Sequence, residues 1–419
     1  MLTNRKILFG TGETPAYLLP KMSTRHGAIF GSTGSGKSVS LRVLCEGMVS
    51  SGTPVLIIDA KGDMDGSIIK GEMTPEIARR IPQELRDSFT MRKFETQIWC
   101  PFGERGLPIN IPISDLGPLL LSRLLMLNEV QSGVINIAFA VAKDENLPLD
   151  TLDDFETLLS YVSYKAPDYR LRYGQIANAS LGAIQRGLGV LKNEGGDILF
   201  KRTNFKLSDF VTIKSGEGVI NVLDATELIK NPMLYSTVLL WILTEIQNQF
   251  PELGSVEKPI FSVIMDEASS MFKNTSRLLA TKIEQSVKML RSKGVSLWLS
   301  SQQIGDVPPP IISQLNNRIL HSIRAYSPQD LRGVKAAANS FRQNPNLDCV
   351  QEIQTLKTGE VLCSFLQEDG SPSIVTKATV LPPQSSLKTV DEAVRAEHIK
   401  QSPLYHKYTS PNWWEIFTM

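Results

Sequence analysis

The segment Gly31–Ser38 (GSTGSGKS) constrains the fold of this chain more than any other part of the sequence. Its glycine spacing is that of a loop whose backbone N–H groups surround phosphate oxygens. The apolar run His26–Phe30 leads directly into the loop, and Val39–Val49 follows it with the apolar spacing of a helix. A strand before the loop and a helix after it are the context in which this motif binds phosphate, so we predict a phosphate-binding loop here.

The loop motif also assigns individual roles. Lys37 is predicted to reach the β- and γ-phosphates of a nucleoside triphosphate, and the hydroxyl of Ser38 is predicted to bind Mg²⁺. We therefore expect ATP and Mg²⁺ as cofactors. The residues predicted to contact the nucleotide are Ser32, Thr33, Gly34, Ser35, Gly36, Lys37, Ser38 and Val39.

Two adjacent carboxylates follow a second apolar strand. Asp266 and Glu267 come directly after Pro259–Met265 (PIFSVIM). An acidic residue at such a strand end can bind the magnesium ion through water, and its neighbour can polarise the attacking water. We assign Asp266 to the metal and Glu267 to the water. Gln302 follows the strand Val295–Ser300, and its amide is predicted to contact the γ-phosphate or the water if that strand lies beside the strand before the loop.

The bulk composition restricts the remaining possibilities. The formal net charge of the 419 residues is +1, which gives no sign of a DNA-coating protein, although a ring that grips DNA only in its pore can be near neutral. The four cysteines form no C-x-x-C pair, which argues against a zinc site and fits a reducing cytoplasm. The most apolar stretch, Val238–Leu243, is too short to span a bilayer. We therefore expect a cytoplasmic protein.

The order of strand and helix patterns predicts an α/β fold with a mostly parallel sheet. We predict an N-terminal β-hairpin at 1–22, a P-loop core at 23–75 and 201–384, a helical insertion at 76–200 and a C-terminal tail at 385–419. The hairpin strands are placed at Lys6–Phe9 and Ala16–Leu19, with a turn at Gly10–Gly12. The helix that begins at the triple proline 308–310 is expected to reach Asn317, and the tail beyond Pro383 is expected to be irregular.

Two sets of charged residues stay open at this point. Asp59, Lys61 and Asp63 follow the apolar strand Pro54–Asp59 and either line the catalytic cleft or form a solvated turn. An arginine is also expected to neutralise the triphosphate as it is cleaved, often from a neighbouring subunit. The candidates are Arg291, Arg318 and Arg324, each of which is otherwise a surface arginine.

Beyond the glycine loop, several stretches resemble the HerA/FtsK superfamily of P-loop translocases, and within it bacterial HerA-like proteins of the YjgR type. The stretches are RHGAIFGSTGSGKS at Arg25–Ser38, IIDAKGD at Ile57–Asp63, DLGPLLLSRLLMLNEVQSGV at Asp115–Val134, GAIQRGL at Gly182–Leu188, GVINVL at Gly218–Leu223, the segment 283–308 and GSPSIVTKATV at Gly370–Val380. The resemblance extends from about residue 5 to about residue 385. The sequence departs from the family pattern at Ser269, where the family often has histidine.

This resemblance implies a RecA-like core of the additional-strand, catalytic-glutamate class. It implies hexameric rings with nucleotide at the subunit interfaces and double-stranded DNA in the pore. It gives Lys37, Ser38, Asp266, Glu267 and Gln302 the roles proposed above. It also favours Arg291 over the other arginines as the residue supplied to a neighbouring subunit.

Two kinds of function follow. The first is an ATP-hydrolysing ring motor that acts on double-stranded DNA, with pore-facing basic residues. Candidates for these are Lys273, Arg277, Lys282 and Lys288. The second is an ATP-dependent scaffold or switch that controls a partner effector, for example a nuclease in phage defence. Stimulation of ATP hydrolysis by DNA separates the two, because a switch can hydrolyse ATP without responding to DNA.

Overall fold

The computed structural model describes residues 2–3, 5–103, 105–174, 176–203, 205–272, 277–325 and 328–410, with no side-chain description at 277–279, 282 and 329. Lys273, Trp413 and Trp414 therefore lie outside the described residues. Contacts divide the described chain into two compact units. The first comprises Met1–Ile98, Lys206–Thr226 and Leu243–Ser402, and the second comprises Trp99–Phe205, Glu227–Ile242 and the described residues from Pro403 onward.

The strands are short, and those at the centre of the sheet are fully buried, as expected for a sheet covered on both faces. They are β1 (Leu2–Thr3), β2 (Lys6–Gly12), β3 (Ala16–Leu18), β4 (Gly27–Phe30), β5 (Val55–Asp59), β6 (Thr96–Cys100), β7 (Leu107–Pro108), β8 (Ile213–Lys214), β9 (Glu217–Gly218), β10 (Ile220–Asp224), β11 (Phe261–Met265), β12 (Val295–Ser301), β13 (Asn317–Leu320), β14 (Glu360–Ser364) and β15 (Thr376–Val380).

The sheet of the first unit is mostly parallel, which confirms the predicted fold class. Its parallel part has the order β13-β4-β12-β11-β5-β10. The antiparallel strands β14, β15, β2 and β1 continue it beyond β13. Strand β12 pairs with β4, as the hypothesis for Gln302 requires, and separates it from β11. This intervening strand is the one that defines the additional-strand class.

The helices connect these strands and fill the second unit. They are α1 (Pro20–Ser23), α2 (Lys37–Ser50), α3 (Pro75–Arg80), α4 (Ile113–Leu124), α5 (Glu129–Asp144), α6 (Leu152–Tyr164), α7 (Ala166–Tyr173), α8 (Asn178–Asn193), α9 (Gly196–Leu199), α10 (Pro232–Gln249), α11 (Arg277–Ser292), α12 (Pro309–Ile312), α13 (Pro328–Asn339), α14 (Cys349–Thr355), α15 (Glu392–Lys400) and α16 (Tyr405–Thr409). Among the described residues, no helix is both long and apolar enough to cross a lipid bilayer.

Helix α2 is central to the first unit. Its side chains Leu41, Leu44 and Met48 belong to the same buried apolar cluster as Ile57 of β5 and Ile264 of β11. Apolar burial of this kind contributes roughly 25 cal/mol for each Å² of surface removed from water. The helix that begins at the glycine loop is therefore fixed against the strands whose ends carry the candidate carboxylates.

The second unit is mainly helical. Helices α5 and α6 are each capped by a reciprocal pair of hydrogen bonds at the N-terminus, from Asn128 with Gln131 and from Thr151 with Asp154. Helix α4 begins at Ile113 and is interrupted at Gly117, whose backbone is not helical.

The expected turn at Gly10–Gly12 is wrong, because these residues continue strand β2. Gly10 pairs with Val380 and Gly12 with Ala378 of β15, so β2 is part of the main sheet. A Cβ atom at Gly12 would lie 2.2 Å from the carbonyl oxygen of Lys377. Glycine therefore allows two backbones to approach here, whereas the sequence alone suggested a turn.

The triple-proline helix is shorter than expected. Helix α12 ends at Ile312, and Asn317 begins β13 instead of ending the helix. The buried Asn317 side chain donates to the carbonyl oxygens of Met22 and His26 and accepts from the amide of Leu366. These long-range contacts favour a strand at Asn317.

The described part of the chain beyond Pro383, residues 384–410, is ordered, so the expectation of an irregular tail is wrong there. The backbone amides of Gln384 and Ser385 donate to the buried carboxylate of Glu46 in α2, at 2.7 and 3.1 Å, and the Ser385 hydroxyl donates at 2.5 Å. Farther along, Asp391 accepts from the amide of Ala393 and caps α15. The segment is therefore anchored to the helix that follows the glycine loop.

Candidate active site

The candidate residues lie at one edge of the sheet, because parallel strands end on the same side. The glycine loop follows β4, Gln302 follows β12, and Asp266 follows β11. Lys61 follows β5, the next strand in the order. Residues as far apart in the sequence as Gly31 and Gln302 are brought to the same edge in this way.

The glycine loop is fixed by the ends of two neighbouring strands. The amide of Gly31 donates to the carbonyl oxygen of Ser301 at 3.3 Å, and the amide of Ser32 donates to that of Ser322 at 3.0 Å. The Ser32 hydroxyl accepts from the amide of Arg324 at 3.2 Å. The loop is thus fixed by hydrogen bonds to the last residue of β12 and to residues that follow β13.

Lys37 lies inside the loop. Its ammonium donates to the carbonyl oxygens of Gly31 at 2.5 Å and Ser32 at 3.3 Å. Gly36, the cap residue of α2, has a left-handed backbone (φ 107°) that favours glycine. Burial lowers the pKa of Lys37, and the positive charge of Lys61 lowers it further. An incoming anion would therefore stabilise the charged form of Lys37.

The other predicted loop residues differ in how much of each is exposed to solvent. Thr33 and Gly34 are exposed at the tip, and Ser38 is half-buried in the first turn of α2. Val39 is partly buried against the apolar core. Within the described part of the chain, the buried Ser35 hydroxyl has no hydrogen-bond partner. A buried hydroxyl of this kind fits a loop whose partner is an oxygen-rich ligand.

A histidine that the sequence analysis missed positions the loop. His321, directly after β13, lies 3.0 Å from the carbonyl oxygen of Ser35 and 2.9 Å from the hydroxyl of Ser40 in α2. Because a carbonyl oxygen only accepts, Nδ1 donates to Ser35 and Nε2 accepts from Ser40. A neutral imidazole therefore connects the loop with its helix. Burial lowers the pKa of His321 to about 4, and the charge of Lys37 also lowers it.

This lowered pKa predicts a loss of stability in mild acid. Between pH 6.5, the ordinary histidine value, and pH 4, the unfolded chain binds a proton that the folded His321 does not, so stability falls as the pH falls. From pH 7.5 to pH 5, this residue should cost about 2 kcal/mol of unfolding free energy. Between pH 7.5 and pH 5, the unfolding free energy of His321→Gln, measured by urea unfolding, should fall by about 2 kcal/mol less than that of the wild type.

The exposed His406 provides the matched control. His406→Gln should show the same pH dependence as the wild type. Comparing each variant with the wild type removes the contribution that shared buried groups make to the pH dependence of stability. These groups include Asp59, whose pKa burial raises to about 6, and His26, whose pKa burial lowers to about 4. If the unfolding free energy of the wild type and of His321→Gln fell equally between the two pH values, this result would contradict a neutral His321.

The carboxylate pair has two different environments. Asp266 is buried and accepts from the hydroxyl of Ser300 at 2.9 Å and from the ammonium of Lys61 at 2.8 Å. Glu267 is less buried and lies 3.4 Å from the same ammonium. Its backbone is left-handed (φ 49°), which is uncommon for a residue with a side chain and clusters at functional sites. The left-handed residue ends the strand and turns the chain into the 3₁₀ helix Ala268–Met271.

The structure separates the roles of the charged residues after β5. Asp59 accepts from the backbone amides of Lys61, Gly62 and Met64 and so forms a structural turn. The carbonyl oxygen of Asp63 accepts from the guanidinium of Arg42. Of the three residues left open by the sequence, Lys61 is the one that contacts Asp266 and Glu267.

Gln302 and its neighbour are also distinguished. Gln303 caps the 3₁₀ helix Ile304–Asp306, and its amide donates to the carboxylate of Asp306 at 2.9 Å. Gln302 is exposed at the end of β12, one residue after the Ser301 carbonyl that accepts from the loop. Its position suits contact with a phosphate bound in the loop.

The three candidate arginines differ in what they contact. The guanidinium of Arg318 donates to three backbone carbonyl oxygens, which makes it a structural residue. These oxygens belong to Leu315, Ser340 and Ile312. Arg324 is exposed beside the loop of its own chain, and Arg291 is exposed at the end of α11. Burial and the charge of Arg25 lower the pKa of Arg291.

One of the predicted pore-facing basic residues is described in full. Lys288 is exposed and lies 2.5 Å from Glu284, one turn earlier on α11. The side chains of Arg277 and Lys282 lie outside the described residues. The structure thus places Lys288 in a surface ion pair, which adds little to stability.

The chain is similar in sequence to known proteins over most of its length. The family described as helicase HerA-like C-terminal matches residues 4–413. The probable helicase MJECL08 of Methanocaldococcus jannaschii is 19% identical over 350 residues, which cover 82% of this chain and 64% of that protein. The chain therefore spans less than two thirds of that relative.

Solved structures share the fold. The plasmid coupling protein TrwB in complex with ADP and Mg²⁺ is 13% identical, with a TM-score of 0.60 over 93% of this chain and 91% of TrwB. VirB4 of Thermoanaerobacter pseudethanolicus is 14% identical, with a TM-score of 0.57 over 90% of this chain and 97% of VirB4. The first unit is accordingly a P-loop ATPase fold of the RecA-like type.

Proposed function

The chain belongs to the helicase HerA-like C-terminal family, a family of helicase-type NTPases, and on that premise we propose that it is a ring-forming ATPase that moves along double-stranded DNA. The observation that carries the proposal is the meeting of three strand ends, those of β4, β11 and β12, at one edge of the sheet. They bring Lys37, Asp266 and Glu267 together with Gln302.

The proposed reaction is hydrolysis of the terminal phosphate bond of ATP. Lys37 binds the β- and γ-phosphates inside the loop, and the other loop residues surround them through their backbone amides. Glu267 accepts a proton from the attacking water as its oxygen bonds to the γ-phosphorus. The bond to the β-phosphate oxygen breaks and ADP leaves with the electron pair. Gln302 orients the water or the γ-phosphate.

The residues present fit a magnesium ion. Ser38 and Asp266 would hold it, since a serine hydroxyl in the first turn after the loop and a carboxylate at the end of β11 are oxygen ligands. The hydroxyl of Ser300 fixes the other oxygen of Asp266 at 2.9 Å. When bound, magnesium neutralises the charge that develops on the phosphates during transfer.

Arg291 is proposed to act on a neighbouring subunit. It lies before β12, whereas Gln302 follows the same strand, and seven residues of extended chain separate the two ends. At about 3.3 Å for each residue, the strand spans roughly 23 Å. Arg291 therefore cannot reach the nucleotide of its own chain, and its exposed position suits a closed ring in which each subunit completes the next site.

Mixing two inactive variants tests this arrangement. Arg291→Ala should lower hydrolysis by about 10³-fold or more while nucleotide still binds, because the arginine acts at the cleavage step. An equal mixture with Lys37→Ala should regain activity, since about a quarter of randomly formed interfaces carry both native residues. Arg86→Ala, a surface variant, should stay active. Failure of the mixture to regain any activity, in rings shown to exchange subunits, would contradict a shared site.

DNA is the proposed polymer on the basis of the family. ATP hydrolysis measured with and without double-stranded DNA tests this, beside Lys37→Ala as the inactive control. We expect strong stimulation that falls steeply with salt, because contacts with phosphates release counterions. An equal rate of ATP hydrolysis with and without DNA would instead favour the scaffold or switch that controls a partner effector such as a nuclease.

A further inference from the structure

Lys61 makes contacts that the assigned roles of the site do not explain. Its ammonium lies 2.8 Å from Oδ2 of Asp266 and 3.4 Å from Oε1 of Glu267. Its side chain is 35% exposed, whereas those of Asp266 and Glu267 are 4% and 17% exposed. A cation thus bridges the two carboxylates that the reaction requires.

Charge balance explains this contact. Two carboxylates this close repel each other unless a cation lies between them. Asp266 and Glu267 carry two negative charges, and Lys37 and Lys61 carry two positive charges, so the four side chains balance. Lys61 therefore compensates the charge of the two carboxylates it contacts.

Binding of ATP with magnesium changes this balance. In the proposed mechanism, Asp266 would hold the metal and Glu267 would accept a proton from water, so the ammonium competes with both roles for the same carboxylates. We propose that Lys61 is a γ-phosphate sensor, which pairs with Asp266 and Glu267 and shifts to the terminal phosphate when a triphosphate binds. The inference rests on the proposed ATPase function and adds a residue to its site.

The local structure allows the side chain to move while the backbone stays fixed. Asp59 accepts from the amides of Lys61 and Gly62 at 3.1 and 2.7 Å, so the turn after β5 is rigid. Lysine has a long flexible stem and a point charge that accepts many geometries. Strand β5 ends on the same side of the sheet as β4, the strand that leads into the glycine loop. A swing of the ammonium toward the loop would therefore bring it to the terminal phosphate.

Affinities for two nucleotides test the sensor without DNA. Lys61→Met should weaken binding of ATPγS roughly tenfold or more, the effect of losing a hydrogen bond to a charged group. Binding of ADP should change less than about twofold, since ADP lacks the γ-phosphate. Lys61→Arg should retain part of the preference for ATPγS. Lys70→Met, an exposed lysine of the same segment, should match the wild type.

Metal binding without nucleotide gives a second readout. Removing the Lys61 charge leaves two uncompensated carboxylates, so Lys61→Met should bind Mn²⁺ roughly tenfold more tightly than the wild type, measured by the loss of the free Mn²⁺ signal in electron paramagnetic resonance. Equal weakening of ADP and ATPγS, or an unchanged Mn²⁺ affinity, would overturn the inference while leaving the ATPase function intact. A wild type that binds neither nucleotide would overturn both.

Discussion

Replacing Glu267 with glutamine should lower the rate of ATP hydrolysis by about 10²–10⁴-fold while ATP binding stays nearly unchanged. Glutamine has the shape of glutamate but cannot accept the proton of the attacking water. The phosphate-binding residues Lys37 and Ser38 are untouched, so the nucleotide should still be bound. Single-turnover hydrolysis and equilibrium binding of ATP, measured on the same preparation, separate the two effects.

A matched surface variant controls for nonspecific damage. Glu257→Gln changes an exposed glutamate that pairs with Lys21 on the surface, and it should hydrolyse ATP like the wild type. If Glu267→Gln retained hydrolysis within about threefold of the wild type, another group would have to accept the proton. That result would contradict the role given to the left-handed residue after β11.

Replacing Arg395 with methionine should lower the free energy of unfolding by about 3–5 kcal/mol. The guanidinium of Arg395, in α15, donates to Asp65 at 3.1 Å and to Asp224 at 2.6 Å. All three side chains are only 2–3% exposed. Removing the cation would leave two buried carboxylates close together without its charge. Urea unfolding at neutral pH measures the loss.

Neutralising the carboxylates as well provides the control. Adding Asp65→Asn and Asp224→Asn to Arg395→Met should recover much of the loss, because no uncompensated charge then stays buried. The exposed Arg79 gives a surface comparison, and Arg79→Met should cost less than about 0.5 kcal/mol. A loss below about 1 kcal/mol for Arg395→Met would show that α15 is not held by this cluster.

The glycine loop, the carboxylate pair and the parallel sheet were predictable because each depends on short-range sequence patterns. The loop motif lies between a strand and a helix, and Asp266 directly follows a buried apolar strand. The family resemblance is confirmed by a match over residues 4–413. The individual roles of the site residues stay predictions, namely those of Lys37, Ser38, Asp266, Glu267, Gln302 and Arg291.

The features that were missed depend on contacts between distant parts of the chain. Whether Lys61 faces solvent or the site depends on β5 lying beside β11, where Ile58 pairs with Met265. The ordered C-terminal segment depends on Glu46, which is 339 positions from Ser385. The local signals for α15 were Asp391, an acceptor two residues before Ala393 that can cap a helix, and the helix-forming residues of the segment 392–400 (EAVRAEHIK). His321 gave no local signal, because its partners belong to the loop and α2.

Displacement of a third strand from a DNA triplex tests most directly whether the protein is a motor. The wild type, supplied with ATP and Mg²⁺ on duplex DNA that carries the triplex, should release the third strand at a rate that depends on ATP. Glu267→Gln with ATP, and the wild type with ATPγS, should not release it. Release only in the wild type with ATP would support movement along DNA. An intact triplex during active ATP hydrolysis would contradict the motor and leave the ATPase as a switch.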